Sequence, residues 1–392
     1  MGSNGDGRAG LHSRENISPL LPGNVRQKDK VMTIPHERLY DLASYNYSLP
    51  PENIAQTPAV PRDSSRLLVW NVRDDTTESR HFRDITEYFR PGDLLVLNDT
   101  RVIPARLWAK RKTGGKCELL LLRNVTADFL EWDALVKPAR KIHAGDTVMI
   151  SGHEAYITDD LPEGIRRVKF DFPSRGEFMM FLETAGNVPL PPYIHGDNTM
   201  RESYQTVFAR NDGSSAAPTA SLHFTPELLA KIQAMGVRTA YVTLHVGLGT
   251  FRPVKSEDIR DHRIHTEHCE ISPETAELIR ECRKSGGRVI ASGTTSARTL
   301  ESFADGDGIT SGVKDTGLYI YPGYKFHVVD ALITNFHLPQ SSLIMLVSAF
   351  AADKAEAYGH EEEILSRLID IYETAAAEGW RFFSFGDAML IV

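Results

Sequence analysis

The stretch Val289-Ile290-Ala291-Ser292-Gly293-Thr294-Thr295 places a short apolar run directly before a glycine turn and a helix start. Consecutive apolar residues are typical of a strand that is buried on both faces of a sheet. The glycine and the two threonines that follow favour a tight turn and a helix N-terminus. A strand that leads straight into a helix is the repeating unit of α/β proteins, so this stretch predicts a layered α/β fold.

Strands and helices alternate on both sides of this stretch. Residues 240–246 alternate between apolar and polar side chains, as a strand with one buried face does. The other predicted elements are helices that open at Thr225-Pro226-Glu227, Ser272-Pro273-Glu274 and Ser341-Ser342, a strand from Val328 to Phe336, and a surface helix from Lys354 to Ala377. This alternation predicts a large α/β domain with much parallel sheet.

The segment from Pro104 to Phe172 has a different pattern. Short runs of alternating side chains are separated there by glycine and proline, which favours a small barrel or sandwich. We therefore predict an inserted β domain at residues 104–172, within an α/β domain formed by residues 31–103 and 173–392. Residues 1–30 are rich in glycine and polar residues and predict a disordered extension.

Composition limits the classes of protein to consider. The chain has 392 residues, three cysteines and a formal net charge of −8. An odd number of cysteines without a Cys-x-x-Cys pair fits a reducing cytoplasm. No apolar run has the length that a membrane span requires. The net charge gives no general support for nucleic acid as a partner, although a local basic face would be enough. We expect a cytoplasmic monomer without a membrane partner.

Three predicted strand ends are polar and rich in small residues: His245 to Phe251, Ser292 to Arg298, and Thr334 to Pro339. Open α/β sheets bind ligands beyond the carboxyl ends of their strands. Turn glycines and helix caps would explain one such segment, but three together predict a binding site. The loop 204–224 adds small residues followed by His223, and it also suggests a site.

Two other sequence patterns bear on nucleotide binding and on metal or proton-transfer chemistry. Common nucleotide fingerprints fail, because Arg252 stands where a glycine motif beginning at Gly247 needs its third glycine. His262, His265, Glu267 and His268 lie close in sequence, but a strand would divide them between two faces, so we predict no metal site. A His/Glu pair for proton transfer and plain solvated loop residues both remain open for this cluster.

Basic residues are concentrated between Arg101 and Lys141. They form two clusters: Arg101, Arg106, Lys110, Arg111, Lys112 and Lys116, and then Lys137, Arg140 and Lys141. A solvated barrel surface is the plain interpretation, and contact with phosphates is the functional one.

Several segments resemble the S-adenosylmethionine:tRNA ribosyltransferase-isomerase family of the queuosine pathway. The matches run in one order from about Leu39 to Ile391. They include Ala216-Ala217-Pro218-Thr219-Ala220, Leu222-His223-Phe224, Thr243-Leu244-His245-Val246-Gly247, Gly293-Thr294-Thr295-Ser296 and Thr334-Asn335-Phe336-His337-Leu338-Pro339. Ser221 and Asp99 stand where this family commonly has glycine and asparagine, and Ala297 replaces a usual valine.

The resemblance implies an α/β domain with an inserted β-barrel. It also implies transfer and isomerisation of the ribosyl part of S-adenosylmethionine onto 7-aminomethyl-7-deazaguanine at the tRNA wobble position. The product would be epoxyqueuosine, with adenine and methionine released. S-adenosylmethionine is then a co-substrate, and no metal or other cofactor is expected.

This chemistry needs a base, a site for the sulfonium compound and a surface for RNA. The catalytic candidates are His223, His245, His265 and Glu267. The candidates for binding S-adenosylmethionine are Ala217, Thr219, Gly247, Gly249, Thr294, Thr295, Arg298, Asn335 and His337. The candidates for RNA binding are Arg101, Arg106, Lys137 and Arg140. A non-catalytic RNA-binding module and an S-adenosylmethionine-dependent methyltransferase remain as alternatives, which the released products would separate.

Overall fold

The computed structural model describes residues 33–196, 200–247, 254–306 and 308–392. The strands are β1 (Arg66–Asn71), β2 (Thr76–His81), β3 (Leu94–Asn98), β4 (Thr100–Val102), β5 (Arg106–Arg111), β6 (Lys116–Asn124), β7 (Glu131–Lys137), β8 (Thr147–Ile150), β9 (His153–Asp160), β10 (Ile165–Phe170), β11 (Gly186–Asn187), β12 (Asn211–Ser214), β13 (Arg238–Leu244), β14 (Glu267–Ile271), β15 (Val289–Ser292), β16 (Ala304–Asp305), β17 (Gly308–Ile309), β18 (Gly312–Thr316), β19 (Ala331–Asn335) and β20 (Ala388–Ile391). The α-helices are α1 (Arg175–Ala185), α2 (Pro226–Ala234), α3 (Pro273–Lys284), α4 (Thr294–Ser302), α5 (Ser342–Lys354) and α6 (Glu361–Ala377).

The larger sheet has nine strands in the order β18-β14-β13-β3-β15-β19-β20-β1-β2. Its centre is parallel, because β13, β3, β15 and β19 pair in the same direction. The outer pairs β18–β14, β14–β13, β19–β20 and β1–β2 are antiparallel. The carboxyl ends of four strands therefore lie side by side at one edge of the sheet, where α/β proteins bind ligands.

Side-chain alternation divides the strands of this sheet between two apolar cores. On β3, Leu94 and Val96 belong to the core beneath α3, α4, α5 and α6, whereas Leu95 and Leu97 belong to the core beneath α2. Since a strand points successive side chains to opposite faces, both faces of β3 are covered and its four apolar residues are fully buried. The predicted layered α/β fold is confirmed.

The smaller sheet closes into a barrel. Strands β5, β6, β7, β10, β9 and β8 follow one another in antiparallel pairs, and β8 pairs back onto β5. Alternate residues fill its interior, among them the fully buried Trp132 and Phe170. Phe178 and Leu182 of α1 also belong to this core. The predicted inserted β-barrel is confirmed. The assignment of residues 104–172 to a separate domain stays a prediction.

The helix starts predicted from cap residues agree with the structure. The side chains of Thr225, Ser272 and Ser341 accept hydrogen bonds from the first turns of α2, α3 and α5. The prediction of a surface helix from Lys354 was wrong in two respects. Lys354 ends α5, and α6 begins only at Glu361, because the chain turns between them at Glu356 (φ 55°) and Gly359 (φ 82°). Nine of the 17 residues of α6 are buried, so it is a core helix.

Among the residues described, no helix combines the length and the apolarity needed to cross a bilayer.

Candidate active site

The predicted binding segments meet at one edge of the larger sheet. His245, Gly293 and Phe336 directly follow β13, β15 and β19, and these strands run in the same direction. The side chain of Asn98, at the end of β3, fixes this arrangement. Its Nδ2 donates to the carbonyl of Leu244 (3.0 Å) and to Thr295 Oγ1 (3.3 Å), and its Oδ1 accepts from the Leu244 N–H (3.1 Å). One buried amide therefore joins the ends of β3 and β13 to the start of α4.

Two cavities open at this edge, one on each side of residues 245–247. Cavity A, of about 270 Å³, is lined by Val246 and by six predicted residues: Ala217, Thr219, Thr294, Thr295, Asn335 and His337. Cavity B, of about 580 Å³, is lined by His245 and Gly247 together with His265, Glu267 and residues of the barrel. Val246 thus lines cavity A, whereas its neighbours His245 and Gly247 line cavity B.

The wall of cavity A is uncharged among the described residues that form it, because His337 is held neutral. Helix α4 begins at this wall with Thr294, and no side chain caps its N-terminus, where Gly293 (φ 89°) makes the turn. Its first N–H groups and the positive end of its dipole therefore face this region. Tyr193 and Phe383 form an aromatic pair at the opposite side, with ring centroids 4.5 Å apart.

A chain of hydrogen bonds connects cavity A to His223. Thr219 Oγ1 donates to Asn335 Oδ1 (2.9 Å), and Asn335 Nδ2 donates to His223 Nε2 (3.3 Å). Because Nε2 accepts, the neutral ring carries its proton on Nδ1, which lies 2.8 Å from Ser65 Oγ. The ring also stacks on Phe82. His223 lines neither cavity. Its hydrogen bond from Asn335 Nδ2 instead fixes the orientation of the asparagine side chain.

Cavity B lies between the barrel and the larger sheet. Arg123 of β6 spans its rim, since its guanidinium is 2.9 Å from Asp315 of β18 and 3.3 Å from Asp133 of β7. His265 lies 3.8 Å from Glu163 of the barrel. Glu267 is buried and accepts from the Gly247 N–H (3.0 Å) and from Arg298. This buried ion pair holds the backbone of Gly247 in place.

His245 is the one predicted catalytic histidine that is both largely buried and on a cavity wall. Its Nδ1 lies 2.8 Å from Thr100 Oγ1, and its ring is parallel to that of His268 with centroids 6.0 Å apart. A Cβ added to Gly213 would lie 2.9 Å from His245 Nε2. Gly213 also has a φ of 147°, which favours glycine, so no side chain at this position crowds Nε2.

Burial keeps three histidines uncharged. Loss of hydration, followed by the nearby charges of Arg381 and Arg62, lowers the pKa of His223 to about 3. Burial and the neighbouring His268 lower the pKa of His245 to about 4. Burial alone lowers the pKa of His337 to about 3. Each imidazole is therefore neutral near pH 7 and is able to accept a proton or a hydrogen bond.

The remaining predicted residues are dispersed. Arg298 lines neither cavity but pairs with Glu267, and Gly249 lies outside the described residues. Arg101 is exposed on β4, 3.8 Å from Asp212, and Arg106 is 3.3 Å from Glu118. Lys137 is exposed at the end of β7, and Arg140 is exposed in the short 3-10 helix Ala139–Lys141. A Cβ atom added to Gly164 would lie 3.3 Å from the Cβ atom of Ala139. The helix that contains Ala139 therefore lies next to Glu163, at the rim of cavity B.

Sequence reasoning missed Ser65, Asn98, Thr100 and Gly213. Asn98 and Thr100 follow the apolar run Leu94 to Leu97, and that position was the one available indication. Two of the departures from the family pattern are accommodated. Asp99 is buried and accepts from Arg210, Asn211 and Thr243. Ser221 lies in a 3-10 helix and bonds to Ser292 Oγ (2.8 Å), so its backbone needs no glycine.

We expect His223→Asn to change how stability depends on pH. In the unfolded chain a histidine binds a proton below about pH 6.5, whereas folded His223 stays neutral down to about pH 3. The unfolded state then binds one more proton than the folded state between these pH values. The free energy of unfolding of the wild type therefore falls by up to about 1.4 kcal/mol for each unit by which the pH falls. The free energy of unfolding of wild type minus variant should therefore decrease from pH 6.5 to 4 in urea titrations. The matched control is His360→Asn, at an exposed histidine, and an equal slope in both variants would contradict a buried neutral His223.

Comparisons with known proteins agree with this geometry. The family model described as "Queuosine biosynthesis protein" matches residues 42–391. An S-adenosylmethionine:tRNA ribosyltransferase-isomerase from Symbiobacterium thermophilum is 50% identical over 353 residues, which cover 90% of this chain and 99% of that protein. One from a Thermoanaerobacter species is 48% identical over 354 residues, covering 89% and 99%. The crystal structure of S-adenosylmethionine tRNA ribosyltransferase from Thermotoga maritima is similar with a TM-score of 0.50 and 36% identity, over 89% of this chain and 100% of that one. The chain belongs to the S-adenosylmethionine:tRNA ribosyltransferase-isomerase family of queuosine biosynthesis proteins.

Proposed function

We propose that this enzyme transfers and isomerises the ribosyl part of S-adenosylmethionine onto 7-aminomethyl-7-deazaguanine at the wobble position of tRNA. The product is epoxyqueuosine in tRNA, and adenine and methionine are released. Besides family membership, one structural observation carries the proposal: two cavities of different character meet at residues 245–247. A reaction between a small sulfonium compound and a base of a large RNA needs two such entrances to one centre.

Cavity A suits S-adenosylmethionine. A carboxylate is stabilised at an uncapped helix N-terminus, as the start of α4 provides. A sulfonium cation is stabilised by aromatic faces, which Tyr193 and Phe383 supply. The polar side chains of Thr295 and Asn335 add hydrogen-bonding groups to a wall without formal charge. We assign the other predicted residues of this wall, Ala217, Thr219, Thr294 and His337, to the same ligand.

Cavity B suits the RNA base. It is the larger of the two, it opens between the barrel and the sheet, and Phe129 contributes an aromatic ring to its wall. Bases that undergo chemistry are turned out of their strand and held by stacking and by contacts to their polar edges. Asp133 and Asp315 at the rim, with His265, offer such polar contacts.

His245 is our choice for the general base. The reaction begins with removal of a ribose C5′ proton, which the neighbouring sulfonium acidifies. His245 is neutral, it lines cavity B next to Val246 of cavity A, and Gly213 carries no side chain that would cover its Nε2. His223 then acts as a positioning residue through Asn335, and Glu267 acts through Gly247. Arg298 supports Glu267, and His265 contacts the base at the rim.

The alternatives make different products. A methyltransferase would release S-adenosylhomocysteine, and an RNA-binding module would release nothing. Family membership and the two-cavity site favour the transferase-isomerase. The monomeric state and the cytoplasmic location stay predictions.

The product assay is the direct test. The wild-type protein, incubated with S-adenosylmethionine and tRNA that carries the precursor base, should release adenine and methionine in equal amounts. His245→Ala should lower turnover by about a hundredfold or more, as loss of an acid–base group does. His360→Ala is the matched control, since it removes an exposed imidazole that lines neither cavity. Release of S-adenosylhomocysteine would show a methyltransferase, and normal turnover in folded His245→Ala would exclude His245 as the base.

Binding of S-adenosylmethionine to cavity A gives a second prediction. Thr295→Val and Asn335→Ala should each weaken binding by about 1–3 kcal/mol, the typical loss for a buried hydrogen bond left unpaired. Isothermal titration calorimetry measures this without RNA. Thr299→Val is the control, because Thr299 lies one turn further along α4 and bonds to the carbonyl of Thr295 outside the cavity. Wild-type affinity in both test variants would place the ligand elsewhere.

The basic residues beside cavity B give a third prediction. Each lysine or arginine that meets a phosphate releases counterions, so tRNA affinity should fall steeply with salt. Replacing Lys137 and Arg140 together by alanine should weaken tRNA binding and flatten the logarithmic salt dependence by about one unit. Affinity for S-adenosylmethionine alone should not change. The control is Lys231→Ala with Lys284→Ala, which removes two cations from α2 and α3. An unchanged salt slope in the test variant would mean that Lys137 and Arg140 are only solvated.

A further inference from the structure

The outer surface of the barrel carries an unusually exposed tryptophan. The Trp108 residue, on β5, is 60% exposed, whereas the other three tryptophans of the chain, Trp70, Trp132 and Trp380, are at most 2% exposed. An exposed tryptophan offers a partner a large aromatic face with a polar N–H group. Met149 of the neighbouring strand β8 is 40% exposed as well, so two apolar side chains lie near each other on this face.

The strand register gives this pair of residues basic neighbours. Lys110 lies opposite Lys116 on one side and opposite Met149 on the other. Trp108 lies opposite Glu118, which in turn lies opposite Lys137 of β7. These residues all point outward, because side chains on a barrel strand alternate between the interior and the outside. We call Trp108, Lys110, Lys116, Lys137 and Met149 the barrel platform.

The charges of the platform are available to a partner. No ion pair to Lys110, Lys116 or Lys137 occurs within residues 33–196, 200–247, 254–306 and 308–392. Of the two acids beside them, Glu118 is 3.3 Å from the guanidinium of Arg106 and is balanced by it, and Glu154, opposite Met149, accepts from the Tyr156 hydroxyl. The platform is therefore a local positive surface on a chain whose net charge is −8.

The platform is continuous with cavity B. Asp133 of β7 lines that cavity, and Leu135 and Lys137 follow it on the same outer side of the strand. Lys137 is about 13 Å from Asp133 along β7, at about 3.3 Å per residue, and Trp108 is two strand spacings, about 10 Å, further across. A ligand that reaches both places must extend over more than about 13 Å, as a nucleic acid strand of a few nucleotides does.

We propose that the barrel platform binds the RNA strand that leads into cavity B, with lysines on phosphates and Trp108 stacked on a base or packed on a ribose. The inference rests on the proposed function, because it takes tRNA as the ligand. Aromatic rings set among lysines are the usual arrangement for binding RNA strands. The cores of protein interfaces are instead depleted in lysine and rich in apolar area, of which the platform has little.

Trp108 itself provides the readout. It is the one strongly exposed tryptophan of the four, so acrylamide should quench its fluorescence selectively in the full-length protein. Adding tRNA should protect this fluorescence, and the protection should saturate at the same tRNA concentration as binding measured by filter retention. Trp108→Phe should abolish the quenchable component, which assigns the signal. Saturated tRNA binding with unchanged quenching would overturn the proposal and leave the platform to another partner, such as a protein.

The affinity of variants gives an independent measurement. Trp108→Ala should weaken tRNA binding about tenfold, since a stacked base contributes about 1–3 kcal/mol. Lys110→Ala with Lys116→Ala should flatten the salt dependence by about one to two units. The control is Tyr358→Ala, which removes a 49% exposed aromatic ring outside the barrel. Affinities equal to that of the control would also overturn the proposal.

The two proposals fail in different ways. If adenine is released from S-adenosylmethionine in the presence of tRNA while Trp108 remains quenchable, the proposed function holds and the platform inference is wrong. If tRNA protects Trp108 but no adenine is released, RNA binding on the barrel stands and the proposed reaction is wrong.

Discussion

The amide of Asn98 is the constraint on which the functional edge of this protein depends. It is fully buried at the end of the central strand β3 and bonds to the backbone of Leu244 in both directions and to Thr295. An amide in that position has no access to water, so any displacement of β13 or α4 would leave strong donors and acceptors unpaired. The relative position of the two cavities is therefore set by backbone-directed hydrogen bonds, which apolar packing alone would not specify.

Electrostatics at this edge follow from the same burial. His223, His245 and His337 are held neutral by loss of hydration, and the wall of cavity A has no formal charge in the part of the chain that the structure describes. Charged side chains are found instead at the rim of cavity B and on the barrel. A cationic co-substrate and a polyanionic RNA would thus meet surfaces of different electrostatic character, although they react at one place.

Local sequence patterns predicted most of the fold and part of the site. The apolar run at 289–291 and the caps at Thr225, Ser272 and Ser341 act within a few residues, so strands and helix starts were predictable. The convergence of three strand ends also followed, because parallel strands end at the same edge. The partition of residues 245–247 between two cavities did not follow. It depends on the packing of the barrel against the sheet, and the bond between Ser65 and His223 joins residues that no local pattern connects.

The two cavities draw on different parts of the chain. Cavity A takes no described residue from the barrel strands, whereas Leu122, Arg123, Asp133 and Ile165 of the barrel help to form cavity B. On the proposed assignment of the cavities, mutations that remodel the barrel would act on the RNA side of the reaction and leave the sulfonium side untouched. In evolutionary terms such a barrel would separate two selective pressures within one polypeptide. The barrel would be free to follow changes in the tRNA population, while the sheet edge kept the chemistry.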